Sequence, residues 1–313
     1  TMFLAGAAAA AAFALVRLVE IAARTGAFWS SLAGFAATQR INPHFADLNA
    51  AGSYYAMAAA VALVVAVKSR GVAAAGSGVL ALAGLWLTGS RAALAAGVAA
   101  AGFVWVAAPG RGRRGRWALA AAIAVLSVAV TLNPGRKQAT ASDAALIRLG
   151  LTRIAFGLAL EHPVTGIGLG RFQSASATRM DVAFVARFPA AAAGENAHNN
   201  FLQILVEIGA LGLAAFLWLL APPAVLLWRL ARSAVTPDEA AWACGLLAFL
   251  LSSLVGHPLL TPQVLFAFAL ALGLSAGAME AKPVSAVARR AGIALVLLAV
   301  LFASLPGRLL EAR

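Results

Sequence analysis

Apolar stretches recur along this chain more often, and run longer, than a water-soluble core could bury. A helix of about 20 residues crosses a bilayer. Nine segments approach that length with few charges: 2–22, 48–67, 72–89, 91–108, 117–133, 199–220, 239–257, 262–279 and 288–306. Helices pair their backbone groups internally, as lipid demands. With 62% hydrophobic and 11% charged residues, the chain exceeds the apolar share of about one half found in soluble domains. It reads as an all-α polytopic membrane protein. The third and fourth spans meet at Gly89-Ser90-Arg91, which predicts a tight helical hairpin with an arginine at its tip.

The formal charge of +13 would suggest nucleic acid in a soluble protein. Here the basic residues fall in short loops: Lys68 and Arg70; Arg111, Arg113, Arg114 and Arg116; Arg229 and Arg232; Lys282, Arg289 and Arg290. Alternate loops carry them, as cytoplasmic loops do. No basic patch interleaved with aromatics supports nucleic-acid binding. The opposite side receives residues 24–47, the tip at Ser90 and Arg91, the long segment 134–197, and the turn at His257 and Pro258. Cys244, the single cysteine, excludes an internal disulfide and a cysteine metal cage, and reads as a small core residue. The chain opens at Thr1 without a basic leader or cleavage site, so no signal peptide is expected.

Segment 134–197 is too long for a passive connector. Ile147, Leu151, Ile154 and Leu158 recur at helical spacing with Arg148, Thr152 and Arg153 beside them, predicting an amphipathic helix on the outer membrane surface. Pro163, Gly166, Gly168 and Gly170 end it. With no Lys-Ser or Lys-Thr following, these glycines read as a turn rather than a phosphate loop. Arg171, Arg179, Asp181 and Arg187 then lead to Glu195-Asn196-Ala197-His198-Asn199-Asn200-Phe201-Leu202-Gln203 and Glu207-Ile208-Gly209-Ala210-Leu211-Gly212. Asn196 is the expected N-cap, which would put His198 in the first turn of the next helix. Leu202, Leu205, Gly209 and Gly212 would continue its inward, small-residue face. Pro222-Pro223 would kink or end that span.

Two readings of these residues stand side by side. Arg91 is either a snorkelling interfacial arginine or a ligand for an anion in a polar chamber. Arg148 is either a headgroup contact or a second such ligand. Guanidinium forks suit a diphosphate. His198 is either a packing histidine or a general base for an attacking hydroxyl. Glu195 and His198 form an Glu-x-x-His pair, half of a di-metal carboxylate site, but no second copy follows. His44, His162 and His257, each beside a proline, read as helix-end packing.

The motifs resemble the O-antigen ligase and polymerase family of bacterial surface-glycan enzymes. The resemblance rests on Thr88-Gly89-Ser90-Arg91, on Arg148 ahead of His162-Pro163-Val164-Thr165-Gly166-Ile167-Gly168-Leu169-Gly170, and on His198-Asn199 followed after nine residues by Gly209-Ala210-Leu211-Gly212. Arg40 through Asp47-Leu48-Asn49 adds a weaker match. The resemblance implies a GT-C-like, metal-independent, inverting glycosyltransferase without a cofactor, in the bacterial inner membrane, with an external helical loop between its fifth and sixth spans. The family has about twelve spans against the nine here, so N-terminal helices are expected to be missing.

On that pattern a glycan passes from undecaprenyl diphosphate to a hydroxyl of lipid A–core on the periplasmic face. His198 would activate the hydroxyl while Arg91 and Arg148 hold the diphosphate. Arg40, Arg153, Arg171, Arg179, Glu195 and Asn199 are further candidates for phosphate or glycan contacts. The expected division is 1–133 with five spans, 134–197 as the periplasmic catalytic loop, and 198–313 with four spans. Rival readings are a polysaccharide polymerase, a protein O-oligosaccharyltransferase and a transporter or flippase. The Thr-Thr pair that protein-glycosylating relatives carry after the last glycine is replaced by Leu213-Ala214, which lowers the protein-acceptor reading.

Overall fold

A computed structural model describes residues 2–38, 41, 45, 47–69, 71–107, 141–192, 194–232 and 235–278. The expected spans 117–133 and 288–306, with Arg40, His44 and the basic clusters at 111–116 and 282–290, lie outside the described residues. The described residues form helices and no strand. These are α1 (Met2–Ala23), α2 (Phe28–Thr38), α3 (Leu48–Ser69), α4 (Val72–Thr88), α5 (Arg91–Ala107), α6 (Ala141–Glu161), α7 (Phe172–Ala177), α8 (Val182–Arg187), α9 (Pro189–Ala192), α10 (Asn200–Leu219), α11 (Ala221–Ala231), α12 (Pro237–Ser253) and α13 (Pro262–Ala278), with a 3₁₀ turn at Pro258–Leu260. Met2–Ala23, Leu48–Val67 and Asn200–Leu219 are long and apolar enough to span a bilayer, and Val72–Thr88, Arg91–Phe103 and Pro262–Gly277 are shorter apolar helices.

The chain forms two compact units. One holds α1–α5, the chain from Pro222 through α12, and the segment from Pro258 through α13; the other holds α6–α10 and Leu254–His257. In the first, α3 is the central helix, packed against α1, α4, α5, α12 and α13. Small residues let the backbones approach, which is how helices gain dispersion energy without a hydrophobic drive between them. A methyl group on Gly52 would fall 2.5 Å from Ser90 Cβ, and one on Gly245 would fall 2.5 Å from Val61 Cγ2. Val79, Leu82, Phe103 and Phe266 stay exposed, surface that lipid rather than water would cover.

Several boundaries differ from expectation. α2 forms inside a stretch taken for an external connector, and the Ile41 N–H beyond it bonds the carbonyl of Leu87, one of the orphan acceptors at the end of α4. α12 stops at Ser253, short of the expected 257. The span after His198 does end at Pro222-Pro223 as expected: α10 stops at Leu219, and the prolines stand in the first turn of α11, where missing N–H groups cost nothing. α6 forms as predicted, but its buried stripe is Leu151, Ala155, Leu158 and Ala159, while Leu149 and Leu160 are exposed.

Candidate active site

The hairpin tip of the first unit is built by its own sequence. Gly89 takes the left-handed conformation (φ 66°) that ends α4. The Thr88 hydroxyl donates to the Leu85 carbonyl and accepts from the Ser90 N–H. Ser90 caps α5 by accepting from the Ala93 N–H at 3.4 Å. Arg91 is thereby fixed as the first helical residue, half-buried, among free N–H groups that favour an anion.

The second unit is organised around a break in α10. Gly209 has φ 70° and ψ −171°, a region only glycine occupies. The interruption frees backbone groups, and the glycine turn fills them. Ile167 N–H bonds the Val206 carbonyl at 2.9 Å, Gly168 N–H bonds the Glu207 carbonyl at 2.9 Å, and Ala210 N–H bonds the Pro163 carbonyl at 2.8 Å. A methyl on Gly166 would lie 2.4 Å from the Glu207 carbonyl carbon, and one on Gly209 would lie 2.1 Å from the Val164 oxygen. Gly166, Gly168 and Gly170 all have positive φ, as expected of a turn.

His198 does not lie in the first turn of the helix, and Asn196 is not the cap. The cap is Asn199, whose Oδ1 accepts from the Leu202 N–H at 3.0 Å. His198 precedes it at φ 50°, the single described non-glycine residue with positive φ. Asparagine three residues further on makes the better cap because its side chain reaches the N3 donor there. The left-handed bend turns the imidazole back onto Glu195, with Nε2 3.0 Å from Oε2. A carboxylate only accepts, so Nε2 presents its N–H to Glu195, and Nδ1 is the ring nitrogen that Glu195 does not engage. The His198 hydrogen bond holds the Glu195 carboxyl below its ordinary range, against the opposing effect of burial; the charges of His198 and His257 and the Asn196 N–H add to it. The His257 ring lies 5.1 Å from that of His198. Beside Pro258 the local sequence of His257 suggests helix-end packing, and nothing in it announces this neighbour 59 positions away in the chain.

The remaining arginines divide by their partners. Arg179 forms a two-pronged pair with Glu161 at 2.5 and 2.7 Å, and that hydrogen bond lowers the Glu161 pKa. Arg187 pairs with Asp143 at 3.1 Å. Among the described residues, Arg91, Arg148, Arg153 and Arg171 enter no ion pair, and Arg148 and Arg153 project from the exposed side of α6. No group of three or more His, Cys, Asp or Glu side chains among the described residues is arranged to hold a metal ion.

Residues 76–217 match the family model described as O-antigen ligase. That stretch, somewhat under half of the chain, is similar to an O-antigen ligase domain. The matched stretch includes the Arg91 hairpin, the glycine turn, His198 and the break at Gly209. The ligase family is glycosyltransferase-like and implies lipid-linked glycan substrates in a membrane. No curated protein and no solved structure matches the chain.

Proposed function

We propose that the protein is a multi-pass, GT-C-like inverting glycosyltransferase of nine or more spans. It takes a glycan from undecaprenyl diphosphate and passes it to a hydroxyl of lipid A–core at the periplasmic face of the inner membrane. The observation that carries this reading is the Glu195–His198 pair within the ligase-family domain. The acceptor oxygen attacks the anomeric carbon from the face opposite the carrier. Its proton passes to His198 Nδ1, and Glu195 stabilises the imidazolium that results. The bond from the anomeric carbon to the diphosphate oxygen breaks, and the electron pair leaves with the carrier.

Arg91 and Arg148 hold the diphosphate and neutralise its growing charge. A lipid diphosphate is a good leaving group, so positioned arginines serve where a metal would otherwise be used. Arg153 and Arg171, also outside ion pairs, extend the contacts to phosphate or glycan, and Asn199 holds the turn. Arg179 would have to leave Glu161 to take part.

The test is reconstitution in defined lipid with undecaprenyl-diphosphate-linked glycan as donor and lipid A–core as acceptor. Transfer that is lost in Arg91→Ala and His198→Ala establishes the ligase. Growth of glycan on the carrier alone identifies a polymerase, and glycolipid crossing the bilayer without a product identifies a transporter. Chelator should leave transfer unchanged; inhibition reversed by one divalent ion would overturn the metal-independent mechanism.

A further inference from the structure

Beneath the His198 turn runs a chain of buried hydrogen bonds to which the proposed chemistry gives no task. The Ala197 N–H donates to Gln203 Oε1 at 2.9 Å. Gln203 Nε2 donates to Glu207 Oε1 at 2.8 Å, and the Phe172 N–H reaches the same oxygen at 3.2 Å. Gln203 and Glu207 are each 4% exposed. They stand one turn apart in the first half of α10, among Leu202, Val206 and the fully buried Phe172. An amide and a carboxyl in such surroundings cost free energy that apolar side chains would not. Packing alone would be served by leucine at both positions.

The place where the chain ends explains the expense. Its last bond falls on Ala197, the residue before His198, and the Asn199 cap fixes the residue after it. A left-handed histidine costs about 1 kcal/mol or more and persists only where its surroundings over-determine it. Glu207 also anchors the other end, since its carbonyl accepts from Gly168 and its side chain accepts from Phe172. We propose that Gln203 and Glu207 are positioning residues. Their hydrogen-bond relay ties the glycine turn to the backbone of residue 197, holds His198 in its left-handed conformation, and so keeps the imidazole on Glu195. The consequence for turnover rests on the reading of His198 as the group that activates the acceptor; the geometric claim does not.

Gln203→Met keeps the side-chain length and removes both bonds. Glu207→Gln keeps a carbonyl oxygen able to accept from Gln203 and Phe172. Two readouts are taken on purified protein: donor and acceptor kinetics of transfer, and diethyl pyrocarbonate labelling of each histidine resolved by peptide mass spectrometry. Exposed His162 serves as the reference within the same molecule. For Gln203→Met the His198-to-His162 labelling ratio should rise about threefold or more as the ring leaves Glu195. Its kcat should fall about 30- to 100-fold at nearly constant KM, the mark of a displaced group rather than a lost contact.

Glu207→Gln should stay within about threefold of wild type in both readouts. Unchanged labelling in Gln203→Met overturns the relay, as does a Glu207→Gln variant damaged as badly as Gln203→Met. Should Gln203→Met not fold, Gln203→Glu replaces it; a carboxylate there can still accept from Ala197 but cannot donate to Glu207, so His198 labelling should rise in this variant too, and unchanged labelling overturns the proposal. Raised labelling in Gln203→Met with no transfer by wild-type protein sustains the relay and removes the glycosyltransferase reading instead.

Discussion

Two turns in this chain meet the same geometric demand with different residues. At the hairpin the left-handed position belongs to Gly89, the cap to Ser90, and the side chain proposed to hold the diphosphate to Arg91. At the second turn the left-handed position belongs to His198 itself, with Asn199 as the cap. Glycine takes φ near +60° freely, whereas a residue with a Cβ loses about 1–2 kcal/mol there. In the hairpin, chain reversal and chemistry fall on separate residues, and two hydroxyls suffice to hold it. In the histidine turn they fall on one residue, and support comes from Glu195, Gln203, Glu207 and the glycine clamp together. Dense support marks the place where the proposed base is also the strained residue.

The substitution that most directly breaks this contrast is His198→Gly, which makes the second turn like the first. Transfer should fall about 10³-fold or more with the base removed, while stability in denaturing detergent should change by less than about 1 kcal/mol, relief of the left-handed strain offsetting the lost Glu195 bond and the freer unfolded chain. A loss of about 2 kcal/mol or more would show that the left-handed histidine carries little strain.

Next in size is Gly209→Ala. The added methyl would meet the Val164 oxygen at 2.1 Å in a backbone conformation closed to alanine, so a loss of about 3 kcal/mol is expected by the same unfolding measurement. Gly89→Ala, in the milder left-handed region at φ 66°, should cost about 1 kcal/mol. Equal losses at the two glycines would mean that the clamp yields easily.

A smaller effect is expected at the hairpin. Arg91→Lys keeps the charge and loses the fork, so kcat should fall about tenfold while the midpoint of thermal unfolding holds. Full activity with lysine would reduce Arg91 to a point charge, and the hairpin to an electrostatic device without geometry.

What could be read from the chain beforehand follows the same contrast. Apolar runs and the Gly89-Ser90-Arg91 punctuation are local signals, and α1, α3, α4 and α5 fall within a residue or two of the spans drawn from them. The residues brought together around His198 are not local. Val164 meets Gly209, Phe172 meets Glu207, and His257 meets His198 across 35 to 59 positions. One clue was present: Gln203 and Glu207, polar and one turn apart in an apolar helix, had to find partners. Asn196 and Asn199 are equally good caps by type, and only the path of the chain through His198 decides between them.

The least of the expected effects tests Glu195, the outermost support of the histidine turn. Its folded-state pKa is depressed, chiefly by the His198 hydrogen bond. Ionisation therefore favours the folded state. That contribution is complete above the unfolded carboxyl value of about 4.3 and is lost as pH falls through the lower folded value. Glu195→Gln removes it while keeping the shape. Melting curves should show wild type above the variant by about 1–2 °C near pH 6, and the gap should close as the medium is acidified below about pH 4. The gap is small because the carboxylate is partly exposed and water screens it. A gap independent of pH would mean that Glu195 supports His198 through packing, leaving the two turns more alike than their hydrogen bonds indicate.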